Sequence, residues 1–532
     1  MAKDPHGVRR WICWLDSWDS RGPPSLWVSN QAQSNIICAI LDSPNTDYGV
    51  RQLKVRPVLI LLALTVATLF VHGYHPWAED AEIYLPGVEK LLNPALFPFN
   101  TRFFESHAHL TLFPNLIAAS ARWSHLRFEG VLFCWQILSI FLFLLACWSL
   151  SGRCFKSTNA RWAAVALVAS LFTIPVAGTA LYLMDQYINP RTLVAFAEVL
   201  AIVAVLDKKY FRAALFLAIA ALFHPLMSVF VAAYCLLLAT MDAMDARSAA
   251  FALLSPLGLF DRPSTAYHQV ALLHYQHYPL QWHWYEWLGG LAPIAILWAY
   301  SRLARARGMR NLGLLCRALV IYELICSPAA LMVSVPERLE SLARLQPMRS
   351  LYLVYVLFFL ITGGLLGEFV LKNRVWRWLA LFVPLCAGMF IAQRVLFPAS
   401  AHIEWPGVES KNPWVEAFEW IRVNTPINAL FALNPEHMHI AGEDENGFRA
   451  VAERSMLADS VKDSGAVTMF PQNAEEWLRQ VTAEQGWENF QAADFERLQV
   501  EFGVNWVVLQ APVRVGLNCP YSNRVVSVCR VE

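Results

Sequence analysis

Three carboxylates fall within four positions in the stretch His75-Pro76-Trp77-Ala78-Glu79-Asp80-Ala81-Glu82-Ile83-Tyr84, directly after the first long apolar run of the chain. Ionisable groups at a membrane face are costly unless they meet water, one another or a substrate, so Glu79, Asp80 and Glu82 are candidates for chemistry. A carboxylate so placed can take a proton from an incoming hydroxyl. The plainer alternative is a solvated acidic loop of the kind that adjoins many membrane spans. Farther along stand His107 and His109, Asp185 with Asn189-Pro190-Arg191, His224, the histidines 268, 274 and 277, and Glu337, Arg338, Arg344 and Arg349. Arginine binds phosphate through paired hydrogen bonds, so carboxylates, histidines and arginines gathered on one face suit an anionic amphipathic substrate.

Each of these residues also has a plainer use. Arg344 and Arg349 can serve as membrane-edge anchors, since arginine snorkels to the interface. Asp185 and Arg191 can pair across a turn. His224 precedes Pro225 and can satisfy backbone groups freed by the break in the helix. The spacing of His268, His274 and His277 lacks the i, i+4 interval of helical ligands and argues against a metal site there. No cofactor is called for with certainty, no metal ligands are assigned, and the need for a divalent metal ion stays open.

The elements that must position these groups follow from composition. The chain has 532 residues, of which 57% are hydrophobic and 16% charged, far from the usage of a soluble domain. It reads as a polytopic α-helical membrane protein. A net charge of +1 and the lack of a basic stripe exclude a nucleic-acid footprint, so no nucleic acid is expected as partner. Residues 1 to 50 show no sustained period and read as a disordered tail, consistent with a start codon placed too early.

Arg51, Lys54 and Arg56 precede the apolar run 57–71, and such basic flanks mark a cytoplasmic side. The next long run, 131–150, ends in Arg153, Lys156 and Arg161, so residues 72 to 130 form one external loop. Within it, 110–123 is short and bracketed by histidine and arginine, which predicts an interfacial helix. Further spans are expected at 162–184, 192–206, 212–223, 226–240, 249–260, 287–300, 312–335, 351–371 and 378–397. The total is about eleven transmembrane helices in a domain over 51–400, with the N-terminus cytoplasmic and the C-terminus outside.

The polar region 404–532 then forms a small C-terminal α/β extramembrane domain. Its pattern predicts helices over 413–423, 474–483 and 494–502 and strands over 429–433, 449–458, 505–510 and 524–531. It carries no phosphate-binding glycine loop and no Gly-x-Ser-x-Gly. Most of the eleven cysteines lie in apolar runs, where a thiol acts as a small hydrophobe. Cys519 and Cys529 flank a turn at Tyr521-Ser522-Asn523 in this domain. They would pair in an oxidising periplasm, or remain two unrelated thiols.

A first span followed by the acids of Glu79-Asp80-Ala81-Glu82-Ile83-Tyr84-Leu85 and a long external segment resembles the start of the GT-C superfamily of integral-membrane glycosyltransferases. That resemblance implies a GT-C-like fold, a polyprenyl-phosphate sugar donor, an acceptor whose nature stays open, and a key acid in the first external loop. Asp185-Gln186-Tyr187-Ile188-Asn189-Pro190-Arg191, Leu345-Gln346-Pro347-Met348-Arg349 and Asn412-Pro413-Trp414-Val415-Glu416-Ala417-Phe418 resemble an uncharacterised group of bacterial multi-pass membrane proteins. This second resemblance implies the bacterial inner membrane and its lipid, and no known reaction. The expectation is a transferase with Asp80, helped by Glu79 or Glu82, as base or acceptor-positioning group. Asp185, Arg191, His224, Arg344 and Arg349 form the binding set, with the arginines on the lipid phosphate. The alternatives are a transporter or lipid-handling protein using the same groups without bond cleavage, and a scaffold whose external domain recruits a partner.

Overall fold

The computed structural model describes residues 55–243, 264–334, 339, 342, 344–513 and 515–531. The expected tail, the run 249–260, Glu337 and Arg338 lie outside these. Contacts divide the chain at Val58; the described part of the first unit is the opening turn of α1, and Leu59–Glu532 is the second unit.

The helices before residue 400 are α1 (Val55–His72), α2 (Ala81–Leu92), α3 (Arg102–Leu110), α4 (Phe113–Ser124), α5 (Phe128–Cys154), α6 (Thr158–Ser170) and α7 (Pro190–Leu206). They continue with α8 (Tyr210–Phe223), α9 (Pro225–Ala243), α10 (Thr265–Leu272), α11 (Trp284–Ala306), α12 (Arg310–Ser334), α13 (Ser350–Leu366, extended by a π turn to Leu371) and α14 (Val375–Leu396). Five of the described helices are long and apolar enough to cross a membrane: α5, α9, α12, the segment Pro347–Leu371 and α14. Helices α1 and α8 are apolar but shorter. This is a helical membrane protein. Helix α14 is scarcely buried, as befits a helix that faces lipid, whereas α7 is buried along almost its whole length at the centre of the bundle.

Helix α7 packs against α5 and α8, α11 against α12, and α13 against α6. The last contact is a close backbone approach: a Cβ on Gly363 would lie 2.5 Å from the Ala163 carbonyl oxygen. Small residues at such a contact let two membrane helices meet through their backbones. The expected span 162–184 is corrected, because α6 ends at Ser170 and residues 171–189 are irregular. Pro175 disfavours helix at Ile174, and the Val176 N–H bonds the Leu181 carbonyl to close a turn that holds Ala177 and Ala180 at positive φ. This turn returns the chain to the start of α7.

Past residue 400 come α15 (Pro413–Asn424), β1 (Leu430–Ala432), α16 (Phe448–Ala452), β2 (Ser455–Met456), α17 (Lys462–Met469), α18 (Ala474–Ala483), α19 (Ala492–Phe502), β3 (Trp506–Gln510), β4 (Asn518–Ser522) and β5 (Val526–Arg530). The sheet has five strands in the order β2-β1-β3-β5-β4; β1 is parallel to β2 and β3, and β5 antiparallel to β3 and β4. Most predicted elements recur within a few residues. The strand expected over 449–458 does not: it divides into α16 and the short β2. Tyr521 and Ser522 belong to β4, and the turn centres on Asn523, whose Oδ1 accepts the N–H groups of Val525 and Val526. A disulfide joins Cys519 to Cys529 across β4 and β5.

The segment between α1 and α5 and the sheet region share one core. Trp77, Leu85, Val88, Phe113 and Ile117 pack in the same cluster as Trp414, Phe418, Phe431, Phe448 and Val528. The acid-bearing loop before α2 is gripped from both sides by backbone bonds. Tyr74 N–H donates to the His402 carbonyl and Glu404 N–H to the Tyr74 carbonyl, while Glu79 N–H donates to Glu445 and Gly447 N–H to Trp77. Hence loop 73–80, a run of turns with isolated bridges at Tyr74 and Ala78, is bonded to the chain on both sides of α15.

Candidate active site

A cavity of about 490 Å³ opens where the loop before α2, the turn before α7, the α8–α9 junction and the start of α17 converge. Its wall holds Glu79, Asp80, Asp185, Arg191, His224 and Arg349, six of the eight residues singled out from sequence. Glu82 and Arg344 are absent from it. Arg344 sits half-buried in the turn before Pro347.

Glu82 is turned the other way for a helical reason. Asp80 ends the loop and α2 begins at Ala81, so Glu82 projects from a different face of the new helix than the two acids before it. Its carboxyl is 0% exposed and bonds the Arg449 guanidinium at 2.9 Å. The other oxygen accepts the backbone N–H of Arg449 at 2.8 Å and of Ala450 at 3.3 Å. Glu82 thus caps the N-terminus of α16 from across the fold, where the first N–H groups of a helix lack partners of their own. Arg449 also takes both oxygens of Asp463, at 3.0 and 2.7 Å, and lies 3.9 Å from Asp459. Burial and the two aspartates push the Glu82 carboxyl up to about 8 against the pull of Arg449, and burial likewise raises Asp463 to about 6.

Lys462 is the functional neighbour that sequence reading missed. Its ammonium meets Glu79 Oε2 in a very short contact and Asp80 Oδ1 at 3.3 Å. Lys462 opens α17, and Asp459 Oδ1 accepts the N–H groups of Val461, Lys462 and Asp463, which fixes that helix end. An aspartate three positions ahead of a helix is a local cue for the helix start. Nothing local points to Glu79, which lies 383 positions away. Burial would lift Glu79, but the Lys462 charge overrides it and holds the carboxylate down at about 2. Glu445, whose carboxyl bonds Glu79, is pushed by burial and by the Glu79 charge to about 9.

Also on the wall, Arg191 pairs with Asp185 at 2.5 Å, and Asn189 bonds the same oxygen at 2.6 Å. Asn189 also caps α7 through a reciprocal box with Thr192, so the turn that places Asp185 is also the helix start that places Arg191. Burial raises the Asp185 carboxyl while Arg191 opposes it. Among the described residues no carboxylate lies within ion-pair distance of Arg349, whose guanidinium faces the cavity. His224 accepts the Met227 N–H on Nδ1 at 3.3 Å and so caps α9 while lining the cavity. His107 and His274 also line it, and burial lowers both to about 4, leaving neutral imidazoles at physiological pH. His274 holds α17 in place, with Nε2 at 3.0 Å from Ser464 Oγ.

At neutral pH most charges on the wall are already matched. Arg191 is matched by Asp185, and Lys462 by Glu79 and in part by Asp80. The remainder is the Arg349 guanidinium and the Asp80 carboxylate, 40% exposed. The cavity can therefore hold an anion at Arg349 and accept a proton at Asp80.

No family model matches the chain, and no curated protein matches it. Among solved structures, one match is an archaeal oligosaccharyltransferase, AglB from Archaeoglobus fulgidus, in complex with an inhibitory peptide and a dolichol-phosphate. Its TM-score is 0.34 at 12% identity, over 86% of this chain and 70% of that one.

Proposed function

We propose that this cavity is the active site of a GT-C-like membrane glycosyltransferase that moves a sugar from a polyprenyl-phosphate donor to an acceptor hydroxyl. The observation that carries the reading is the pairing, in one cavity, of a part-exposed carboxylate at Asp80 with an Arg349 guanidinium that has no carboxylate within ion-pair distance among the described residues. A volume of about 490 Å³ is within the ordinary range for small-molecule sites and accommodates a sugar phosphate.

In this reading Asp80 takes the proton of the acceptor hydroxyl as its oxygen forms a bond to the anomeric carbon. The bond from that carbon to the phosphate oxygen breaks, and polyprenyl phosphate leaves with the electron pair. The growing negative charge on phosphate is met by Arg349, with Arg191 beside it; preplaced guanidinium groups are worth most where charge develops. Glu79 holds Lys462 and does not take the proton. Glu82 and Arg344 take no part in the chemistry. Under the same proposal the protein lies in a bacterial inner membrane with the N-terminus cytoplasmic and the cavity and the 404–532 region periplasmic. Purified protein supplied with labelled polyprenyl-phosphate sugars and a pool of candidate acceptors should transfer label, and Asp80→Asn protein should not. Donor binding without transfer by wild-type protein would favour a lipid-handling role.

A further inference from the structure

Glu79 and Asp80 are adjacent carboxylates whose oxygens converge on one point, and the Lys462 ammonium sits at that point. Two neighbouring carboxylates facing a cavity, with the Glu445 carboxyl behind them, are the hard oxygen donors that a divalent cation takes. Here the position is filled by a residue of the chain. The lysine is not a loose surface group, for its side chain is 13% exposed and its backbone N–H is bound to Asp459. The helix it opens is tied to the acid loop a second time through Asp463, Arg449 and Glu82.

The acid loop is equally fixed. Glu79, Asp444 and Glu445 all have positive φ, of 57°, 62° and 59°, and the two strained turns are joined by the bond from Glu79 N–H to the Glu445 carbonyl. Such conformations persist only where the surroundings over-determine them, and they cluster at functional sites. Lys462, Glu445 and, more remotely, His439 and Tyr182 face Glu79, while Lys462, Arg349, Asp185, His107, Tyr84 and Tyr187 surround Asp80. A single ammonium differs from a divalent ion in a way that matters: it is a point charge that binds Glu79 closely and leaves Asp80 with an oxygen to spare.

We propose that Lys462 is the resident cation of the Glu79–Asp80 pair, so that the protein needs no divalent metal there, and that removing the ammonium turns the pair into a divalent-cation site. The mechanistic half rests on the transferase reading, while the ion-binding half stands on geometry alone.

The test uses full-length protein in detergent or nanodiscs, with Mn²⁺ binding read by electron paramagnetic resonance and thermal unfolding read with and without Mn²⁺. Wild-type protein should neither bind Mn²⁺ at this site nor be stabilised by it. Lys462→Met and Lys462→Gln should gain affinity by about tenfold or more, and Asp80→Asn added to either should remove the gain. Lys462→Arg, which keeps the charge, should gain none. Mn²⁺ bound by wild type and lost in Asp80→Asn would overturn the proposal, even if neither lysine variant folds. Folded Lys462→Met or Lys462→Gln without new affinity would overturn it as well. Where transfer is measurable, wild-type activity should survive EDTA; inhibition by EDTA reversed by Mg²⁺ would refute the lysine's role. If wild type transfers no sugar at all, the transferase reading fails and the ion-binding outcomes still decide on Lys462.

Discussion

Arg449→Met is the substitution from which the docking of the C-terminal region onto the acid loop can be read most directly. The guanidinium is 1% exposed and serves Glu82 at 2.9 Å, Asp463 at 3.0 and 2.7 Å and Asp459 at 3.9 Å. Its removal leaves three buried carboxyl groups facing one another without a cation. Breaking a buried pair by deleting one partner costs about 3–5 kcal/mol, against a typical total of about 5–15 kcal/mol for folded domains, so the unfolding transition should fall by several degrees or more. The loss should also depend on pH. Carboxyl groups whose folded values lie above their unfolded ones favour the folded state at low pH and lose that contribution as pH rises through the folded value. Glu82 at about 8 and Asp463 at about 6 are already raised, and both should rise further without Arg449. The deficit against wild type should therefore be smaller near about pH 5 than near about pH 8. Thermal unfolding followed by tryptophan fluorescence across that range measures both effects. Arg449→Lys should recover only part of the loss, because one ammonium cannot reproduce the two-pronged contact with Asp463 while reaching Glu82. If Arg449→Met melts with wild type at every pH, the buried cluster does not hold the two parts together.

Glu82→Gln keeps an acceptor for Arg449, so it should cost only about 1–2 kcal/mol and leave transfer per folded molecule close to wild type; loss of turnover in well-folded protein would return Glu82 to the catalytic set. Asp80→Asn should abolish transfer while its melting temperature stays near wild type, since a part-exposed carboxylate contributes little to folding. Arg349→Ala should raise the donor KM far more than Arg305→Ala, which lies in the last turn of α11 away from the cavity, with Arg349→Lys an incomplete rescue; equal effects would assign Arg349 to membrane insertion. Glu445 holds its proton up to about pH 9 and donates it to Glu79, so stability should drop as pH rises through that value, and Glu445→Gln, which keeps a donor, should flatten the drop. In intact cells Cys519 and Cys529 should resist thiol labelling until reduced; two free thiols protected from an impermeant reagent would place the C-terminal region in the cytoplasm.

What the sequence determined by itself is what depends on neighbours along the chain. Apolar runs gave α1, α5, α9, α12, α13 and α14, because a long uncharged stretch has few states other than a helix in an apolar setting. The pattern of apolar and polar residues gave α15, α18, α19 and β3. The cavity residues of the first loop and of the turns before α7 and α13 were legible as polar groups at the ends of apolar runs. Tertiary structure decided the rest, through partners hundreds of positions apart. The segment at Arg449 reads as a strand in sequence but folds as α16, whose first N–H groups find their acceptor on Glu82. The acid triplet looks like one unit in sequence, yet the change from loop to helix at Ala81 sends Glu82 to a buried arginine and leaves Glu79 and Asp80 on the cavity wall. Lys462 carries no local sign of its role, since a lysine at a helix start gains its meaning only when the sheet region docks and brings the ammonium onto carboxylates it could not otherwise meet.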